Sequence, residues 1–226
     1  MADSKPNIAV VLSGCGVYDG AEIHESTLTL LALDRQGVNY QCFAPDIDQA
    51  HIINHLNGEE MEGKRNVLTE AARIARGAIK DLKEYNAADF DAIILPGGFG
   101  AAKNLSSFAF QGPDCTVNED VASAIKSTND AGKPMSALCI APTIMAKIFD
   151  GAEVTIGQDE GTAGAIETMG GKHTQTTHGG IVVDDALRLV TSPCYMLDAT
   201  ISQIADGTEN AVRSLLDMVE QDRQAA

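Results

Sequence analysis

Short uninterrupted apolar runs alternate along this chain with segments whose apolar residues recur at helical spacing, the signature of an α/β fold built on a mostly parallel sheet. Asn7–Leu12, Asn39–Ala44, Asp91–Leu95 and Pro134–Leu138 are apolar runs of strand length, bounded by Gly or Pro. Glu153–Ile156 and Leu187–Thr191 predict two later strands. Between them, Glu22–Gln36 places Ile23, Leu30, Leu31 and Leu33 on helical spacing and stops at Gly37, a C-terminal cap. Asn66–Ile79 is rich in Ala and Arg and predicts a helix. Thr116-Val-Asn-Glu119 fits a capping box opening a helix to about Ala131. Pro142–Phe149 predicts a helix with its proline in the first turn. Tyr195–Ala205 and Glu209–Gln221 predict two closing helices, and Asp46–Arg65 a long surface excursion. No repeat or Pro/Ser linker divides the 226 residues, so one domain spanning 1–226 is expected.

Charge narrows the function classes. Sixteen Lys and Arg face 32 Asp and Glu, a net charge of −16, and such a surface repels nucleic-acid phosphates and anionic lipid. Neither nucleic acid nor membrane is expected as a partner. No apolar run approaches the roughly 20 residues that span a bilayer, and Met1–Pro6 holds no apolar stretch of signal-peptide type. The five cysteines, at 15, 42, 115, 139 and 194, are odd in number and scattered. They suit reduced thiols, and a cytoplasmic location is expected.

Ligands of an open parallel sheet bind beyond the carboxyl ends of its strands. Ser13–Gly20, Pro96–Gly100 and Leu138–Ala141 all fall there, so one pocket is expected where they meet. Cys139 is the sharpest feature. It sits between a strand and a helix in Ala137-Leu-Cys-Ile-Ala141, and the small residues two positions either side are what a nucleophile elbow requires. The helix N-terminus behind it should lower the thiol pKa and make it the most reactive of the five. A buried core cysteine would give the same local pattern. Pro96-Gly-Gly98 could bring a backbone N–H to a developing oxyanion, or could serve a tight turn. Glu22 and Glu25 share one helix face, as acid–base groups or as acids favoured by the helix dipole. Cys15 and Cys194 also lie at strand ends and are secondary thiols; Cys42 and Cys115 read as structural. Gly14–Gly20 lacks the spacing of a dinucleotide fingerprint, and Pro96–Gly100 is not followed by the Lys-Ser/Thr of a P-loop. His173 and His178 lie in a glycine-rich run without a third ligand of evident spacing, so no metal is expected.

Three segments in register resemble the superfamily of PfpI-type proteases and the Parkinson-disease deglycase: Gly20-Ala-Glu-Ile-His-Glu25, Leu95–Leu105 and Ala137–Thr143. Ser13–Gly20, Ile53–Leu56, Arg65–Leu68 and Thr191–Leu197 further resemble its branch of isoprenoid-biosynthesis (lycopene-enhancing) proteins with an amidotransferase-like domain. The resemblance implies a flavodoxin-like three-layer sandwich, class I glutamine amidotransferase-like, and a homodimer. It implies that Cys139 is the nucleophile, that Glu25 hydrogen-bonds its sulfur, and that the Gly98 and Ile140 amides form an oxyanion hole. Glu22, Gly97 and Cys15 are further pocket candidates. The superfamily's histidine positions are altered: Gly157 stands where the deglycase branch has one, Ile140 where the proteases do, and Thr191–Cys194 where the amidotransferases do. Neither peptidase nor glutaminase activity is therefore expected. The activity implied is cofactor-independent conversion of a small aldehyde, glyoxal to glycolate; redox sensing by the same cysteine is the alternative. No imidazole is expected as catalytic base: His24 should face away from Glu25, and His51 and His55 lie in the excursion.

Overall fold

In the computed structural model, which describes residues 5–225, a seven-stranded sheet runs in the order β3-β2-β1-β4-β5-β9-β8. Its strands are β1 (Asn7–Val11), β2 (Asn39–Ala44), β3 (Ile79–Asp81), β4 (Ala92–Leu95), β5 (Met135–Leu138), β8 (Val182–Asp184) and β9 (Leu189–Ser192). All pairs are parallel except β8 with β9. The helices are α1 (Ile23–Arg35), α2 (Val67–Ile74), α3 (Phe99–Lys103), α4 (Phe108–Gln111), α5 (Glu119–Asp130), α6 (Pro142–Ile148), α7 (Glu160–Thr168) and α8 (Ile201–Ala225). Strands β6 (Glu153–Val154) and β7 (Lys172–His173) pair with each other outside the sheet.

The period-two alternation of a strand sorts the core into two layers. Ala9 and Val11 of β1 face one side, against Val121 and Ile125 of α5 and Ile144 and Met145 of α6. Ile8, Val10 and the adjoining Leu12 face the other, against Leu33 of α1, Ala71 of α2 and Val212 and Leu215 of α8. Because both faces are covered, the central strands read as continuous apolar runs. The result is the flavodoxin-like, amidotransferase-like three-layer sandwich expected.

Several elements depart from expectation. The helix begun at Asn66 ends at Ile74; Arg76 and Gly77 then take positive φ (52° and 82°), and Ile79–Asp81 instead joins the sheet edge beside β2. Asn118, not Thr116, caps α5, its side chain accepting the Asp120 and Val121 N–H groups at 3.0 and 3.2 Å. Of Glu153–Ile156 only the first two residues form a strand, and that strand lies off the main sheet. The two closing helices are one. Tyr195 lies in a single 3-10 turn (Cys194–Met196), and α8 runs unbroken through Gly207. Glycine is placed there by close packing: a Cβ on Gly207 would come within 3.1 Å of Ser192 Oγ. The excursion 46–65 is an ordered strap, bridged at Asp48–Asn66 and Ile53–Glu60, that grips the 13–20 loop through Ile53 N–H to Asp19 Oδ2 at 2.7 Å.

Candidate functional site

Cys139 takes φ +59° at the end of β5, the left-handed conformation of an elbow, which costs a non-glycine residue about 1–3 kcal/mol. The cost is met by its surroundings. Its N–H donates to Ser192 O of β9 at 2.9 Å, Ala141 N–H returns to Leu138 O at 2.9 Å, and Ala137 and Ala141 are fully buried. Gly97 presses against the elbow so closely that a Cβ on it would lie 2.3 Å from Cys139 Cβ and 2.7 Å from Glu25 Oε2. No other residue fits there. Gly98 is equally constrained on its other side, where a Cβ would lie 2.3 Å from the Glu22 N.

Glu25, on the first turn of α1, has no exposed surface. Its Oε2 accepts the Gly97 N–H at 3.0 Å and its Oε1 the Tyr195 N–H at 3.1 Å. Its Oε2 and the Cys139 Cβ flank the same face of Gly97, so carboxyl and thiol are neighbours that shift each other's titration. Burial raises the Glu25 pKa to about 7, with Glu22 adding to the rise and the two backbone N–H groups and the thiol opposing it. Burial also drives the Cys139 thiol well above its ordinary range; the Glu25 charge adds to this, and the Gly98 N–H opposes it. The thiol is thus raised where the helix N-terminus suggested lowering. A carboxyl titrating near neutrality beside a thiol held neutral is arranged to take the sulfur's proton as the sulfur reacts.

The expected convergence of three loops occurs. Val17, Gly98, Phe99, Cys139 and Ile140 line one cavity of about 280 Å3, completed by Ala102, Phe108, Ala109, Asp159, Thr162, Tyr195 and Met196. The walls are mostly apolar, and Cys139, which contributes to them, is 6% exposed. The Phe99 N–H holds Val17 O at 2.8 Å, which ties two of the loops together. Among the described residues the Ile140 N–H, next to Cys139 in the chain, has no acceptor.

Other predicted residues lie elsewhere. Glu22 does not line the cavity; it caps α1, its Oε2 accepting the Glu25 N–H at 2.6 Å. Cys15 sits away from the cavity with Glu70, Arg73 and Asp19 around it. Cys194 is buried against Ser192 and Thr208. His173 Nε2 accepts the Ile156 N–H at 3.3 Å and burial lowers its pKa, so it braces the segment leading to Gly157. His178 borders a separate groove with Asp206, Glu209 and Arg213. His24 does turn from Glu25, but its Nδ1 meets the Tyr195 hydroxyl at 2.8 Å. Tyr195, Phe108 and Asp159 were not singled out from the sequence, although Tyr195 lies inside the Thr191–Leu197 segment that carries the resemblance. Among the described residues no group of three His, Cys, Asp or Glu could hold a metal ion, and no helix is long and apolar enough to cross a membrane.

The DJ-1/PfpI family profile matches residues 15–196. The human glutamine amidotransferase-like class 1 domain-containing protein 3, mitochondrial, is 48% identical over 221 residues, 93% of this chain and 82% of that protein. The crystal structure of an isoprenoid biosynthesis protein with amidotransferase-like domain from Ehrlichia chaffeensis superposes with a TM-score of 0.88 at 35% identity, over 94% of this chain and 98% of that one. Glyoxalase III from Candida albicans shares the fold at a TM-score of 0.60 and 13% identity, over 92% and 97% of the two chains. The expected cytoplasmic location is overturned by the human relative, which is named as a mitochondrial protein. Unpaired cysteines mark a reducing environment and do not distinguish one such compartment from another.

Proposed function

The chain belongs to the DJ-1/PfpI family, and on that premise we propose that it is a cysteine-dependent glyoxalase-type enzyme converting a small 2-oxoaldehyde to the 2-hydroxy acid, glyoxal to glycolate in the simplest case. The observation that carries this reading is the Cys139–Glu25 pair, a thiol on a strained elbow beside a fully buried carboxyl whose pKa burial raises to about 7. Its own residues supply the chemistry. The sulfur attacks the aldehyde carbon as Glu25 takes its proton, and the Gly98 and Ile140 N–H groups hold the oxyanion. Reprotonation of that oxygen gives a hemithioacetal. Glu25 then removes the proton from the sulfur-bearing carbon and a proton returns to its neighbour, so the first carbon becomes a thioester carbonyl and the second a CH2OH. Water adds to the thioester, the C–S bond breaks, and the thiol regains a proton. Steady-state glyoxal consumption by the wild type beside Cys139→Ser and Glu25→Gln tests it: both variants should lose at least a hundredfold, and retention of activity by either overturns the reading.

One observation favours the alternative of redox sensing. The position of the deglycase-branch histidine is not merely changed but filled, since a Cβ on Gly157 would lie 2.9 Å from Leu197 Cδ2. If the wild type consumes no glyoxal, while peroxide oxidises Cys139 to an acid stabilised by Glu25, sensing is the function.

A further inference from the structure

An acyl-thiol intermediate must be opened by water, and the groups already assigned are poorly placed to activate it. Glu25 already serves the thiol proton and the carbon-bound proton of the earlier steps, and each of its oxygens also accepts a backbone N–H, from Gly97 and from Tyr195. Of the residues lining the cavity, only Cys139, Asp159 and Tyr195 carry ionisable groups. Asp159 caps α7, accepting the Thr162 N–H at 2.7 Å, and that bond lowers its pKa and makes it a weak base. Tyr195 differs. It forms part of the cavity wall, and its hydroxyl meets Nδ1 of the exposed His24 at 2.8 Å, the two rings 5.9 Å apart.

We propose that Tyr195 and His24 form the proton relay that hydrolyses the thioester, in place of the histidine that Gly157 lacks. This rests on the glyoxalase-type reading above. As the water oxygen bonds to the thioester carbon, the Tyr195 hydroxyl takes the water proton and passes its own to His24. The C–S bond then breaks, the sulfur leaves as a thiolate, and the proton returns along the same path or from solvent to restore the thiol. His24 faces water, so the relay exchanges protons without opening the buried carboxyl–thiol pair.

Glyoxal is the probe for the test, with Tyr195→Phe and His24→Gln. Phe keeps the ring in the wall and leaves the Tyr195 backbone N–H on Glu25. Both variants should lower steady-state kcat tenfold or more. They should form the acyl adduct on Cys139, read by intact mass in a single turnover, at the wild-type rate, and accumulate it. Hydroxylamine, added after free glyoxal has been removed because it would trap the aldehyde as an oxime, should release the accumulated adduct as the hydroxamate. Variants within twofold of wild type in kcat overturn the relay, and so does an equal slowing of adduct formation, which would mark a structural role. A wild type that forms no adduct at all overturns the glyoxalase-type reading itself and takes the relay with it.

Discussion

Leu197 occupies the space into which a side chain at Gly157 would project, with Leu197 Cδ2 2.9 Å and Cγ 3.1 Å from the position of a Cβ there. Gly157 also holds φ +85°, which an L-residue adopts only under strain. Restoring the superfamily histidine by Gly157→His should therefore fail. The variant should lose about 2 kcal/mol or more in denaturant unfolding and gain no glyoxal turnover. A rise in kcat without the companion change Leu197→Ala would show that the pocket yields more easily than its packing indicates.

Glu25 sets a pH dependence of known sign. Its carboxyl rises from an ordinary 4.5 to about 7 because the folded chain buries it, so the folded state binds the proton more tightly than the unfolded one. That contribution to stability is whole below pH 4.5 and is lost as pH climbs through 7, amounting to roughly 3 kcal/mol. Chemical unfolding between pH 4.5 and 8 should show the decline, and Glu25→Gln should flatten it. Activity runs the other way. The carboxylate form accepts the thiol proton, so kcat/KM for glyoxal should climb with a midpoint near 7.

Gly97→Ala should destroy the site. The added methyl would lie 2.3 Å from Cys139 Cβ, so the elbow or the loop must move. A displacement of this size costs about a hundredfold in rate, and overpacking costs roughly 3 kcal/mol. Wild-type turnover in this variant would mean that the Cys139–Glu25 contact is not what drives the reaction.

Alkylation should not report the nucleophile. Cys15 is partly exposed, whereas the other four thiols are buried, and Cys139 is held neutral beside Glu25. Limited iodoacetamide treatment at neutral pH, followed by peptide mass spectrometry, should modify Cys15 before Cys139. Preferential labelling of Cys139 would show a thiolate that its surroundings do not favour.

The sheet centre was legible because strands covered on both faces are unbroken apolar runs; β1, β2, β4 and β5 stand within a residue or two of expectation at each end. Edge elements were not, since β3 and β8 have three residues each, too few to show alternation. The single closing helix α8 carries Gly207, a poor helix former by propensity, at a point where a Cβ would come 3.1 Å from Ser192 Oγ. At the site, local pattern pointed to the elbow and to Pro96-Gly-Gly98, while the roles of Glu25 and Gly98 came from the resemblance. The pairing of Leu197 with Gly157 and of Tyr195 with Glu25 and His24 joins residues distant in sequence, and no local periodicity encodes it.

The bond from Tyr195 N–H to Glu25 lies between residues 170 positions apart, and α8, which follows Tyr195, packs along α1 where Glu25 sits. During synthesis the carboxyl is made early, the sulfur midway and its second anchor late. A ribosome-bound chain that has not yet reached Tyr195 carries the thiol without the geometry that gives it purpose. The pairing of carboxyl and thiol is thereby completed only when the last layer closes over the sheet.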